Sequence, residues 1–257
     1  MDLEWLEHTE ARAYEAQFRR APPNLGLQFE QHGELFQLYS PKMDVFMFNR
    51  LLGTDWSLGW ENLLESHREA GLKRYGVQIP PPLLSREVQH RLEAAGLVHS
   101  SNWVKMYRAA GDAPEVHTPF RIERIDSCMA QHFAEVVTLG FQMPAFLRPW
   151  LQQVVEIPGW VSYLAFDGNN PVAAGVMHVQ NEVGWLGMGC TLPEHRNKGA
   201  QGAIMRCRIR DALDLGCKWV IAETGEENAK NPNPSYHNMV RMGFKLAYAR
   251  PNFMPAT

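Results

Sequence analysis

Between positions 188 and 203 the chain reads Met-Gly-Cys-Thr-Leu-Pro-Glu-His-Arg-Asn-Lys-Gly-Ala-Gln-Gly-Ala. A strand-like apolar run, Val183 to Leu192, stops at Pro193. A basic loop with two glycines follows, and a helix-patterned segment begins near Ala203. A strand, a basic glycine loop and a helix start in that order suit a phosphate-bearing ligand. The first N–H groups of a helix lack partners and the dipole is positive there, so a pyrophosphate is stabilised. Gly199 and Gly202 let backbone approach the oxygens, and Arg196 and Lys198 add charge-assisted hydrogen bonds. Two common phosphate loops do not fit. Lys198 precedes Gly199 instead of following a glycine and preceding Ser or Thr. The dinucleotide pattern needs three glycines and a later acidic residue.

Arg196-Asn197-Lys198-Gly199-Ala200-Gln201 resembles the acyl-CoA-binding motif of the GNAT N-acetyltransferases: Arg or Gln, two residues, Gly, one residue, then Gly or Ala. It departs at the last place, where Gln201 stands and Gly202 comes one position later. The resemblance implies acetyl-CoA as co-substrate, with its pyrophosphate on Arg196, Asn197, Lys198 and the backbone of Gly199, Ala200, Gln201, Gly202 and Ala203. The pantetheine arm would pair between two splayed strands, Val183–Leu192 and Trp219–Thr224, against backbone at Gly189, Cys190, Thr191 and Leu192. Amides near Gly189, Cys190 and Thr191 would stabilise the oxyanion as an amine attacks directly. Ser235 and Asn238 would reach the pantetheine or the phosphate. The family often donates a proton from a tyrosine four residues before the Gly-Phe that closes the last helix. Here that place holds Met239, with Tyr236 nearby as the candidate acid. Glu223, ending the second splayed strand, is the candidate base. Its alternative is an ion pair with a nearby Arg or Lys.

Elements to position these groups can be read on both sides of a small-residue stretch, Ala109 to Glu115. After it come a strand (Phe120–Ile125), helices near Cys128–Val137 and Ala145–Glu156, and a hairpin of Trp160–Phe166 and Val172–Val179 across Asp167-Gly168-Asn169-Asn170. Then follow the site strand, loop and helix, the strand from Trp219, a helix over Ser235–Met242 and a strand from Leu246 to Arg250. That order is the GNAT order. The expected fold is α/β (α+β), a mixed central sheet with flanking helices, over domains 1–112 and 117–257. The first half repeats landmarks of the second at a nearly constant offset: Arg50–Gly53 with Arg196–Gly199, Gly71 with Gly216, and Gly96 with Gly243. It is expected to be a degenerate copy, since Leu51 and Leu52 replace the polar pair and Asp55 would repel a phosphate.

Bulk composition bounds the rest. The 257 residues carry a formal charge of −3, which argues against a nucleic-acid surface. No apolar run approaches the ~20 residues of a membrane span, and the acidic start is unlike a signal peptide. Cys128, Cys190, Cys207 and Cys217 lack metal or redox spacing and suit reduced thiols in a cytoplasmic protein. No metal site is expected. His178 and His195 lie nearest the site without a visible partner. Phe141, Trp150, Trp160 and Trp185 fit either a core or an acceptor pocket. The acceptor would be a small-molecule amine or a protein amino group, and the chain a monomer or homodimer. The competing reading is a non-catalytic CoA-binding or partner-binding module.

Overall fold

The computed structural model describes residues 2–57, 59–228 and 232–256. Its elements are α1 (Leu3–Phe18), β1 (Gln28–His32), β2 (Leu35–Tyr39), β3 (Arg50–Gly53), α2 (Glu65–Glu69), β4 (Gly76–Gln78), α3 (Arg86–Ala94) and β5 (Leu97–Ala109). After these come β6 (Arg121–Ile125), α4 (Ala130–Gly140), α5 (Arg148–Val154), β7 (Trp160–Asp167), β8 (Asn170–Gln180), β9 (Val183–Thr191), α6 (Ala200–Asp214), β10 (Trp219–Gly225), α7 (Pro234–Arg241) and β11 (Lys245–Pro255). The chain divides into two compact units, Met1–Lys105 with Ala247–Thr257, and Met106–Leu246.

In the first unit the strands run β1-β2-β3-β4-β11-β5, with β3 and β4 parallel and β4 antiparallel to β11. Leu35, Leu51, Trp56, Trp60, Val77 and Val88 share a buried cluster there. Two of the three repeated landmarks do equivalent work. Gly71 and Gly216 (φ 70 and 82) and Gly96 and Gly243 (φ 71 and 80) are each left-handed where the chain leaves a helix for a strand. The third does not. Arg50–Gly53 is the strand β3, buried throughout, whereas Arg196–Gly199 is a loop.

In the second unit the order is β10-β9-β8-β7-β6, parallel between β10 and β9 and antiparallel elsewhere. The hairpin closes with Asp167 opposite Asn170, as its turn residues predict. Side chains alternate across β9: at Gly189 a Cβ would lie 3.7 Å from Arg208 of α6, while the Cys190 thiol lies against Gly140 of α4. Helices therefore cover both faces of this sheet. Phe133, Val137, Trp150 and Leu151 bury the α4–α5 side, and Ile204, Met205, Ile209 and Ala212 the α6 side. Trp150 is core, with no exposed surface. The last strand outruns its expected end at Arg250 and continues to Pro255, where Asn252 and Phe253 pair with Gln78 and Val77. No helix among the described residues is long and apolar enough to cross a membrane.

Candidate functional site

The parallel register of β9 with β10 runs from Val183↔Trp219 to Leu186↔Ala222 and stops. Both strands continue, β9 to Thr191 and β10 to Gly225. Beyond Leu186 their backbones are therefore open to an added segment. The cause lies in β9 itself. On its other side Ala174 pairs with Cys190 and Val176 with Gly187, so Gly175 faces two residues, Met188 and Gly189. This is a β-bulge, and Met188 takes the left-handed conformation within it (φ 50).

The opening leads to the start of α6. Gly199 is the N-cap, at φ 80, and its carbonyl accepts the Ala203 N–H at 3.0 Å. The amides of Ala200, Gln201 and Gly202 precede that first helical bond and point out of the helix end. A Cβ on Gly199 would lie 2.6 Å from the His117 carbonyl oxygen, so only glycine fits. Thr118 Oγ1 donates to the Lys198 carbonyl at 2.7 Å, which braces the loop from the same side. Arg196, Asn197 and Lys198 are exposed, and Arg196 Nε donates to the Thr191 carbonyl at 3.1 Å. Leu192 N–H is engaged with the Val172 carbonyl.

A cleft of about 820 Å³ joins these parts, and it lies wholly within the second unit. Of the residues expected at the site it is lined by Gly189, Cys190, Thr191, Arg196, Asn197, Gly199, Ala200, Gln201, Gly202 and Asn238. Leu192, Lys198, Ala203, Ser235, Tyr236 and Glu223 are not on its wall. Gln201, the departure from the motif, ties α6 to α7: its Oε1 accepts from Asn238 at 2.8 Å and its Nε2 donates to Ser235 Oγ at 3.4 Å. Asn233 caps α7 through the N–H groups of Ser235 and Tyr236. Met239 is buried at 5% exposure, and the half-buried Tyr236 ring lies edge-on to His237.

Glu223 has an unexpected partner. Its Oε2 accepts the Trp185 indole N–H at 2.8 Å, where an arginine or lysine was the expected alternative. Trp185 lies across Gly187, where a Cβ would sit 2.3 Å from the ring. Trp160 meets Trp185 edge-on and lies against His178. Burial holds His178 down at about 4, so it is neutral at physiological pH. His195 has carboxylate neighbours after all, Asp167 and Glu194, at 3.5 and 3.6 Å. Burial pushes the Cys190 thiol up to about 12, which removes it as a nucleophile. Phe141, 40% exposed, lines the cleft. The residues that sequence reasoning passed over are His117 and Thr118, which brace the loop from 80 positions away. Only the glycine at 199 hints at such a close approach.

No protein-family profile and no curated protein matches the sequence. Solved structures do match in shape. A GCN5-related N-acetyltransferase from Kribbella flavida superposes with a TM-score of 0.65 at 15% identity, over 98% of this chain and 96% of its own. One from Sphaerobacter thermophilus gives 0.61 at 14% identity, over 86% of this chain and 76% of its own. A tandem GNAT protein from the clavulanic acid biosynthesis pathway gives 0.60 at 14%, over 94% and 86%. This chain has the fold of the GCN5-related N-acetyltransferases.

Proposed function

We propose that the protein is an acyl-CoA-dependent N-acyltransferase that moves an acetyl group from acetyl-CoA to an amine. The observation that carries this reading is the continuity of one cleft from the end of β9, beyond its pairing with β10, to the N-terminus of α6. The amides ahead of Ala203, with the exposed Arg196 and Lys198, suit a pyrophosphate. The open strand edges at Gly189 to Thr191 suit the amide-bearing pantetheine arm as an added strand. Gln201 and Asn238 form a polar side wall for it, with Ser235 bonded behind Gln201.

In the reaction the amine nitrogen bonds to the thioester carbon, charge rises on the carbonyl oxygen, and the C–S bond breaks. The amine gives up a proton to Glu223, directly or through water, and the thiolate takes one from a donor such as Tyr236. The backbone amides of the β9 bulge hold the charged oxygen. The acceptor is the amine of a small molecule or a protein. We further propose that the chain is a tandem form, with a first domain over 1–112 and a catalytic one over 117–257.

Met239 favours a second reading, since a thioether stands where a phenol is expected and cannot donate a proton. On that reading the cleft holds CoA as a structural or sensed ligand. Thiol release from acetyl-CoA across a panel of amines separates the two. Acyl transfer that is lost in Glu223→Gln supports the enzyme. Binding without transfer to any amine supports the sensor.

A further inference from the structure

Arg208 stands in the middle of α6 at 2% exposure. No carboxylate pairs with it among the described residues. The nearest acid on its helix, Asp211, instead accepts the Tyr163 hydroxyl at 2.6 Å. Its Nε is buried and has no acceptor. Such a group is costly, because a buried charge without a counterion loses hydration that nothing returns in full. What Arg208 does touch is the β-bulge. Its Nη1 donates to the Val176 carbonyl at 2.9 Å and to the Gly187 carbonyl at 3.2 Å. Room for the guanidinium comes from Gly175, where a Cβ would lie 3.1 Å from Cζ.

One nitrogen bridges the two carbonyls, which belong to direct partners across β8 and β9. The Gly187–Met188 peptide is trans, so its N–H points opposite to the carbonyl that Arg208 holds, at a residue beyond the end of the β9–β10 pairing.

We propose that Arg208 is a positioning residue for acyl transfer: by holding the Gly187 carbonyl it aims the Met188 amide into the opening, at the thioester oxygen. This rests on the acyl-transfer reading above. As the C–N bond forms and the C–S bond breaks, that amide donates to the oxygen that gains charge. Arg208 itself touches neither substrate. Its charge lies behind the bulge and adds a fixed positive potential at the same place.

The test uses the full chain with acetyl-CoA labelled with carbon-13 at the thioester carbonyl, read by isotope-edited infrared spectroscopy. The bound wild type should show a narrow carbonyl band. In Arg208→Met, which fills the same space without charge, the band should broaden and move to higher frequency, while calorimetry gives unchanged binding of CoA. Arg208→Lys keeps a donor for the carbonyls and should restore part of the shift. An unchanged band in folded Arg208→Met overturns the positioning role. If that variant does not fold, an Arg208→Lys band identical to wild type likewise overturns it, and a partial shift upholds it. Failure of the wild type to bind acetyl-CoA would instead overturn the underlying reading.

Discussion

Cys190 lies in the wall of the cleft beside the expected position of the acyl group, yet its thiol is held near 12 by burial. Residue type and position alone are compatible with a nucleophile; the local environment excludes it. Cys128 is exposed. Iodoacetamide at pH 8 should therefore alkylate Cys128 and leave Cys190 and the buried Cys217 unmodified, as peptide mass mapping would read. Prompt labelling of Cys190 would contradict the description of the site. Glu223 shows the same limit of sequence reading. Its place at the end of β10 was legible, but its partner Trp185 lies 38 residues away on the neighbouring strand. Only the register, with Trp185 opposite Ile221, brings the indole to the carboxylate.

At the scale of elements, the loop before α6 is set by one glycine. Gly199 is left-handed and packs on the His117 carbonyl, so Gly199→Ala meets both backbone strain and a clash. The substitution should cost more than about 1 kcal/mol of stability and weaken CoA binding, measured by chemical denaturation and calorimetry. An alanine variant with wild-type stability and affinity would show that the loop is not fixed as described. Periodicity and turn chemistry revealed most of the elements, because the Asp167–Asn170 turn and the glycines ending helices act locally. They misjudged Arg50–Gly53. An Arg-x-x-Gly string carries no signal that separates a buried strand from an exposed loop, and Leu51 and Leu52 decided it by burial. They also stopped β11 early, since Pro251 lacks an N–H. Its carbonyl nevertheless accepts from Ile79, and the strand goes on.

At the scale of the whole molecule, a buried ionic cluster in the first unit links stability to pH. Glu10 accepts from Arg50 at 2.8 Å and Lys105 at 2.6 Å, and Glu7 from Arg250 and Tyr248, both at 2.5 Å. The four charged partners Glu7, Arg50, Lys105 and Arg250, like Glu10, have no exposed surface. Burial alone would raise the Glu10 pKa, but Arg250, Lys105 and Arg50 outweigh it and hold the carboxyl well below the ordinary range. Its contribution to stability is thus complete above the ordinary carboxylate pKa and is lost as pH falls below it. Glu10→Gln should destabilise the protein by about 3–5 kcal/mol at pH 7 and flatten the fall in thermal midpoint below pH 4.5. A midpoint unchanged from wild type would refute this. No local pattern announces the cluster, whose members come from positions 7, 10, 50, 105 and 250. The GNAT fold was legible as an order of elements, whereas the charges inside the first unit were not.

The claim on which the functional account depends is that the α6 loop holds the pyrophosphate of CoA. Titration calorimetry of CoA and acetyl-CoA into the wild type and into Arg196→Ala/Lys198→Ala tests it most directly. The account predicts saturable binding of both ligands to the wild type. It also predicts an affinity lower by roughly 10- to 100-fold in the double variant, given two exposed charged contacts. Absence of binding to the wild type, or equal affinity in the double variant, would contradict it.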